Sequence, residues 1–167
     1  MDPSSEAKFL RFVANASPAL LRAAYALTGQ QQAAEDLVQT ALERVALNWR
    51  KLTEPYAYAR RVMYHQHISW WRRFRRQEVP VAEHVERAGA GDLSGEVALR
   101  GDLLTALDQL GPRQRAVLVL RYLEDRSIEE TAELLGCSTG TVRSQASRAL
   151  LRLRELTQPD ETKTGVR

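Results

Sequence analysis

The 167-residue chain is 44% hydrophobic, 27% charged and 7% aromatic with a net charge of +3, a soluble composition with room for one domain or two small ones, which excludes a disordered or fibrous chain. No stretch approaches the roughly 20 unbroken apolar residues of a membrane span, and the polar N-terminus lacks the apolar core of a signal peptide, so a cytoplasmic location is expected and no membrane partner. The single cysteine, Cys137, makes no internal disulfide, and the three histidines have no metal-ligand spacing, so neither a redox site, a structural metal nor any other cofactor is expected.

Apolar residues recur at helical spacing nearly everywhere and no run alternates with the period of a strand, so the chain is expected to be all-α. A first helix is marked by Phe9, Phe12, Val13 and Ala16. Pro18 stands where a second would begin, carrying Leu20, Leu21, Ala24 and Leu27 to a turn at Gly29. A third, about 33–49, has Leu37, Val38, Ala41, Leu42 and Val45 as its core face. Asp36, Gln39 and Glu43 form a polar stripe on it, for which solvated surface is the default reading. A fourth, about 55–76, begins at Pro55, since proline is well tolerated in a first helical turn. Residues 1–77 then make one small helical domain.

The fourth helix carries a chemical signal. Residues 55–77 contain no Asp or Glu but six arginines, Arg60, Arg61, Arg72, Arg73, Arg75 and Arg76. Seven of the eleven aromatics, Trp49, Tyr56, Tyr58, Tyr64, Trp70, Trp71 and Phe74, fall between positions 49 and 74. On a helical wheel Tyr56, Ala59, Met63, Trp70 and Phe74 share a face, expected to be core, and Arg61, His65, Ser69, Arg72 and Arg76 share the other. Arginines that track phosphates, beside aromatics that stack on exposed bases, suit single-stranded or melting DNA. Core aromatics rimmed by solvated arginines are the alternative. His65 and His67, two apart, point to different faces and do not make a metal pair.

Residues 78–95, with Pro80, Gly89, Gly91, Gly95 and scattered acids, are expected to form a flexible acidic linker. Residues 96–156 make the second small domain, and 157–167 a disordered polar tail. Leu103, Leu104, Leu107 and Leu110 mark a helix stopped at Gly111-Pro112, and Val117, Leu118 and Leu120 belong to the next. Ser127-Ile128-Glu129-Glu130 has the capping-box pattern that opens a short helix with Ile128, Ala132 and Leu135 on its apolar side. Gly136 is able to end it in a left-handed conformation and Ser138 to cap another, which is a helix-turn-helix. In the last helix Val142, Ala146, Ala149, Leu150 and Leu153 share a face opposite Arg143, Ser144, Ser147 and Arg148, and residues 134–154 contain no acid. Arginines there can read guanine edges or phosphates, and small hydroxylated residues admit close approach to a major groove. A hairpin packed only for structure would show the same apolar stripe without needing to exclude acids. Leu151 faces away from that stripe without explanation.

Four stretches, Ala34-Glu35-Asp36-Leu37-Val38-Gln39-Thr40-Ala41, Tyr58-Ala59-Arg60-Arg61-Val62, Leu110-Gly111-Pro112-Arg113-Gln114-Arg115-Ala116-Val117 and Gly140-Thr141-Val142-Arg143-Ser144-Gln145-Ala146-Ser147-Arg148-Ala149, resemble the extracytoplasmic-function sigma factors of bacterial RNA polymerase. The likeness covers residues 9–156 in order and is nearest to the SigE-type group of actinobacteria, within the sigma-70 family. It implies two domains, sigma domains 2 and 4, that dock on core RNA polymerase and direct it to promoter DNA, with an anti-sigma protein as a further possible partner. It implies a specificity factor, with no catalytic residue and no small-molecule substrate.

The resemblance also implies roles. Asp36, Gln39 and Glu43 would meet the clamp of the largest polymerase subunit. Trp49, Tyr56, Arg60, Arg61, His65, Arg72 and Arg76 would recognise and melt the −10 element, and Thr141, Arg143, Ser144, Ser147 and Arg148 would read the −35 element. The leucine-rich surface near 118–123 resembles the part that sits on the β-subunit flap. Tyr64-His65-Gln66-His67-Ile68-Ser69-Trp70 departs from the family pattern, in which asparagine usually stands at His65 and a charged residue near Trp70. Two rivals are a stand-alone helix-turn-helix regulator, which would normally need a dimerisation helix that is not evident, and a nucleic-acid enzyme, for which no nucleophile, metal set or phosphate loop is placed.

Overall fold

The computed structural model describes residues 1–76 and 95–158, and only the backbone at 74–76 and 95–100. The expected linker at 78–95 and tail at 157–167 lie outside the described residues but for their end positions. Helices α1 (Pro3–Thr28), α2 (Gln31–Asn48) and α3 (Pro55–Arg76) form a first unit, with a 3-10 turn, Trp49–Lys51, leading into α3. Helices α4 (Gly95–Asp108), α5 (Pro112–Leu118), α6 (Ile128–Leu135) and α7 (Thr139–Thr157) form a second, and α5 runs on into a π turn, Val119–Leu123. No strand occurs among the described residues, and no helix there is long and apolar enough to cross a membrane.

Helix α1 corrects one expectation, because it runs unbroken through Pro18 where a new helix was expected to begin. Proline removes one backbone donor and crowds the preceding turn, a cost of about 3 kcal/mol in a helix interior. Pro18 lies on the exposed side, and Ser17 Oγ donates to the Val13 carbonyl at 2.6 Å just before it. The apolar stripe through Ala16, Leu20, Ala23, Ala24 and Leu27 is buried, and each large aliphatic in it contributes roughly 1.5–3 kcal/mol, so packing outweighs the proline. Asp2 caps the start, accepting from Ser5 N at 2.9 Å, with Pro3 in the first turn.

Gly29 ends α1 in the left-handed region, φ 71°, with its N–H on the Tyr25 carbonyl. The chain then folds back, so that Trp49 at the end of α2 meets Phe9 and Phe12 near the start of α1, at ring-centroid distances of 5.3 and 5.5 Å. Val45, Ala59, Met63 and Tyr64 complete the core between α2 and α3. The expected aromatic core face of α3 holds at Ala59 and Met63 but not at Trp70, which is 47% exposed because the core ends before the last turns of the helix.

In the second unit Leu107, Leu110, Leu118 and Ala149 pack together, and Val117, Ala132 and Val142 join α5 to the helix-turn-helix. The local signals are realised atom by atom. Ser127 Oγ accepts from Glu130 N at 3.0 Å while Glu130 Oε2 accepts from Ser127 N at 2.8 Å. Gly136 takes φ 66°, and Ser138 Oγ accepts from Thr141 N at 3.1 Å. Gly111-Pro112 separates α4 from α5 with proline in the first turn.

The two units share a core. Ala116, Val119 and Leu120 of the second are buried among the α1, α2 and α3 side chains of the first. The expected leucine-rich surface at 118–123 is corrected accordingly: Leu118, Val119 and Leu120 are buried, and only Tyr122 and Leu123 present large apolar surface, at 60% and 54% exposure. Leu151 is exposed, and nothing in the structure explains it.

Candidate nucleic-acid interface

Helix α7 presents its basic side to solvent. Val142 and Ala149 are buried, while Arg143, Ser144, Ser147 and Arg148 are exposed and neither arginine is ion-paired among the described residues. Thr141 is half-buried, its hydroxyl 2.9 Å from Ser138 Oγ, and Ser144 Oγ donates to the Thr141 carbonyl at 3.1 Å, so both hydroxyls stiffen the first turns of the helix. Two guanidiniums free of competing carboxylates, on a helix whose other face is fixed by packing, can approach a major groove without desolvating an ion pair.

Helix α3 is divided. Arg61, His65 and Arg72 are exposed, and the Arg76 side chain lies outside the described residues. Trp49 is half-buried against Phe9 and Phe12, and Tyr56 is half-buried beneath the Arg60 guanidinium, 5.9 Å from the ring centroid. Arg60 itself is only 6% exposed: its Nε and Nη2 donate to the two Glu124 carboxylate oxygens, each at 3.1 Å. Tyr64 is fully buried and donates to Glu124 Oε2 at 2.6 Å. Burial, reinforced by the Glu124 charge, holds the Tyr64 phenol well above its ordinary range, so it remains a donor. His65 Nε2 lies 2.7 Å from the Leu134 carbonyl near the end of α6; a carbonyl only accepts, so that nitrogen carries the proton.

Sequence reading missed the groups that receive these side chains. Glu124 owes its position to the π turn, closed by Glu124 N to the Val119 carbonyl at 2.9 Å, and to Asp125, whose φ of 52° reverses the chain. Arg115 donates from Nε to the Ala26 carbonyl at 2.6 Å, one of the acceptors left over at the end of α1, and from Nη1 to Asp108 Oδ1 at 2.7 Å. A Cβ on Gly29 would come within 3.0 Å of Asp108 Oδ1, so glycine is needed there for close approach as well as for φ. No local spacing signals the pairings of Arg60 and Tyr64 with Glu124, of His65 with Leu134 or of Arg115 with Ala26, since these partners stand 60 to 89 positions apart in the chain.

His67 is the buried member of the histidine pair, and neither ring nitrogen has a hydrogen-bond partner among the described residues. Burial, then the nearby Arg115 charge, lowers its pKa to about 4. The native state therefore binds the proton less readily than the unfolded chain. His67's contribution to stability is whole above about pH 6.5 and is lost as pH falls towards 4. Between pH 7 and 5 the loss is expected to be about 2 kcal/mol, read as the difference in urea unfolding between the chain and a His67→Gln variant. Equal pH slopes for the two would refute it.

Asp36, Gln39 and Glu43 are exposed on α2, with Gln39 Nε2 donating to Glu43 Oε1 at 3.1 Å and Asp36 Oδ1 accepting from Gln32 Nε2 at 2.9 Å. Gln39 and Glu43 border a groove of about 460 Å³ floored by Phe9, Val13, Val38 and Leu42, and Leu47 beyond it is 81% exposed. Gln39 and Glu43 thus stand on the rim of an apolar trough between α1 and α2, which a wheel of α2 alone does not reveal.

Comparison with known proteins agrees with this arrangement. The family description "Sigma-70 region 2" matches residues 12–77, and "Sigma-70, region 4" matches residues 100–153. The RNA polymerase sigma-E factor of Streptomyces coelicolor is 42% identical over 151 residues, covering 89% of this chain and 85% of that protein. An ECF RNA polymerase sigma factor SigE from Mycolicibacterium smegmatis is 34% identical over 86% of this chain and 59% of its own length. Among solved structures, the sigma factor RpoE of Bartonella quintana, crystallised with the anti-sigma factor NepR, superposes with a TM-score of 0.61 at 28% identity, covering 89% of this chain and 96% of that one. Both sigma regions in order, on a fold that is helical throughout the described residues, make this chain an extracytoplasmic-function sigma factor of the SigE type, a member of the sigma-70 family that directs promoter-specific transcription initiation.

Proposed function

We propose that this sigma factor divides initiation among four surfaces. Asp36, Gln39 and Glu43, with the apolar trough beside them, engage the clamp of the largest subunit of core RNA polymerase, and Tyr122 and Leu123 offer a small apolar contact to the β-subunit flap. Thr141, Arg143, Ser144, Ser147 and Arg148 read the −35 element. Arg61, His65 and Arg72, joined by Trp49, Tyr56, Arg60 and Arg76, hold the opened −10 strand. The protein acts in the cytoplasm as a specificity factor and not as a catalyst. An anti-sigma protein, the class of partner bound by the Bartonella relative, completes its partners.

The observation that carries this reading is the exposed face of α7, on which two arginines stand without a paired acid among the described residues. Few phosphate contacts are available to either unit alone, so the free chain is expected to bind duplex DNA weakly and to gain promoter specificity with core polymerase. A gel shift with and without core enzyme tests it. Tight sequence-specific binding by the free chain would instead indicate a stand-alone helix-turn-helix regulator.

The α2 surface has its own test. Asp36→Lys with Gln39→Lys is expected to reduce holoenzyme assembly in a pull-down, while thermal stability changes by no more than about 0.5 kcal/mol, because both side chains are exposed. Unimpaired assembly would remove this stripe from the polymerase interface.

A further inference from the structure

We propose that Gly140, at the head of the exposed face of α7, is a positioning residue for −35 recognition: its missing side chain lets the helix backbone seat against the major groove closely enough for Arg143 and Arg148 to reach base edges. The inference rests on the assignment of α7 to the −35 element. Gly140 is the second residue of α7 and is exposed. Glycine loses more backbone freedom on folding than any other residue, so its presence in a helix needs a reason. Conformation does not supply one. The glycines of positive φ among the described residues are Gly29 and Gly136, and Gly140 lies in ordinary helical backbone. Space does not supply one either, because a Cβ on Gly140 would meet no atom nearer than Ser138 Oγ at 3.8 Å, an ordinary contact. Gly111 also stands in open space, but it caps the start of α5, where glycine is accepted. Nothing inside the chain asks for glycine at position 140.

The reason lies in what Gly140 stands beside. Residues 140, 143, 144, 147 and 148 follow the three- and four-residue spacing of one helix face, so Gly140 extends the stripe of Arg143, Ser144, Ser147 and Arg148 by one turn towards the helix start. The hydroxyls of the first turn are drawn onto one another: Ser138 Oγ accepts from Thr141 N at 3.1 Å and lies 2.9 Å from Thr141 Oγ1. The leading end of the basic face is therefore bare backbone. A recognition helix enters the major groove by its N-terminal residues, which contact base edges. With Val142 and Ala149 fixing its far side, α7 moves as a rod, so one methyl group at its leading end would lift the arginines behind it as well. An added Cβ would be felt only against a partner. DNA has the matching chemistry, because residues 134–154 contain no acid and both arginines are unpaired among the described residues.

The test places Gly140→Ala and Gly140→Leu in the holoenzyme, on a −35 element selected from a randomised library by the wild-type holoenzyme. Alanine is the better helix former, so Gly140→Ala is expected to raise the urea midpoint of the free chain. Its affinity for the selected promoter is nevertheless expected to fall about tenfold, the low end of the loss of one bidentate base contact, and that of Gly140→Leu further. Discrimination against single −35 substitutions should weaken at every position read by α7 rather than at one, because the whole helix is displaced. Gly101→Ala in α4, where a Cβ meets nothing within 4 Å, is expected to leave promoter affinity unchanged. Full affinity in both Gly140 variants overturns the inference, as does a loss in Gly140→Ala accompanied by a lower midpoint, or an equal loss in Gly101→Ala. Weaker holoenzyme assembly at unchanged stability would assign the close approach to polymerase and overturns it too. The reading beneath it fails separately. If the wild-type holoenzyme selects no −35 sequence, or Arg143→Ala binds the selected promoter as tightly as the wild type, α7 does not read the −35 element, whatever stands at position 140.

Discussion

Leu20→Ala is expected to lower the free energy of unfolding by about 2–5 kcal/mol. Leu20 is fully buried, two residues beyond Pro18, in the stripe whose packing keeps α1 continuous. Truncation removes apolar burial and leaves a cavity, and it also weakens the term that offsets the proline, so the cost should fall in the upper half of that range. The shared core gives the prediction a second readout. All three tryptophans, Trp49, Trp70 and Trp71, belong to the first unit, whereas Ala116, Val119 and Leu120 belong to the second and are buried with it. Tryptophan fluorescence and hydrogen exchange of the α5 amides should therefore report one coincident transition, moved to lower urea in the variant. A Leu20→Ala chain whose α5 amides stay protected after the fluorescence change would show that the two units unfold independently.

How much of this was legible in the sequence depends on the distance over which each signal acts. Ser127 with Glu130, Gly136 and Ser138 are local instructions, each satisfying a backbone group within a turn, and the structure realises all of them. The exposed face of α7 was equally legible, since the positions of Val142 and Ala149 fix where Arg143 and Arg148 must point. Pro18 was misread because a local preference was weighed without the burial that overrides it. Arg60 and Tyr64 could not be placed from their neighbours: their partner Glu124 is 64 and 60 positions away, and an arginine in an acid-free segment carries no mark of an acid arriving from another unit. The trough beside Gln39 and Glu43 was hidden for the same reason, being formed by two helices together. What could be read was the register of each helix, and what could not was which helix lies across it.

That contrast bears on the final expectation, because on the α7 face proposed to read the −35 element the register of Arg143 and Arg148 and their exposure agree between sequence and structure. Arg143→Ala and Arg148→Ala are each expected to weaken promoter binding by the holoenzyme about tenfold to a hundredfold, the loss of about 1–3 kcal/mol that accompanies one bidentate arginine contact to a base edge. Neither change should disturb the fold, since both side chains are exposed and unpaired among the described residues while Val142 and Ala149 hold the helix. An arginine that only touches phosphate would behave differently: its removal would weaken all promoters alike and flatten the dependence on salt. Binding of each variant to promoters with single −35 substitutions separates the two cases, because a lost base contact abolishes discrimination at one position and leaves the others intact. Permanganate footprinting on duplex and pre-melted −10 templates then locates the defect. If pre-melting the −10 region rescued Arg143→Ala, α7 would be acting in strand opening, and the assignment of α7 to the −35 element would be wrong.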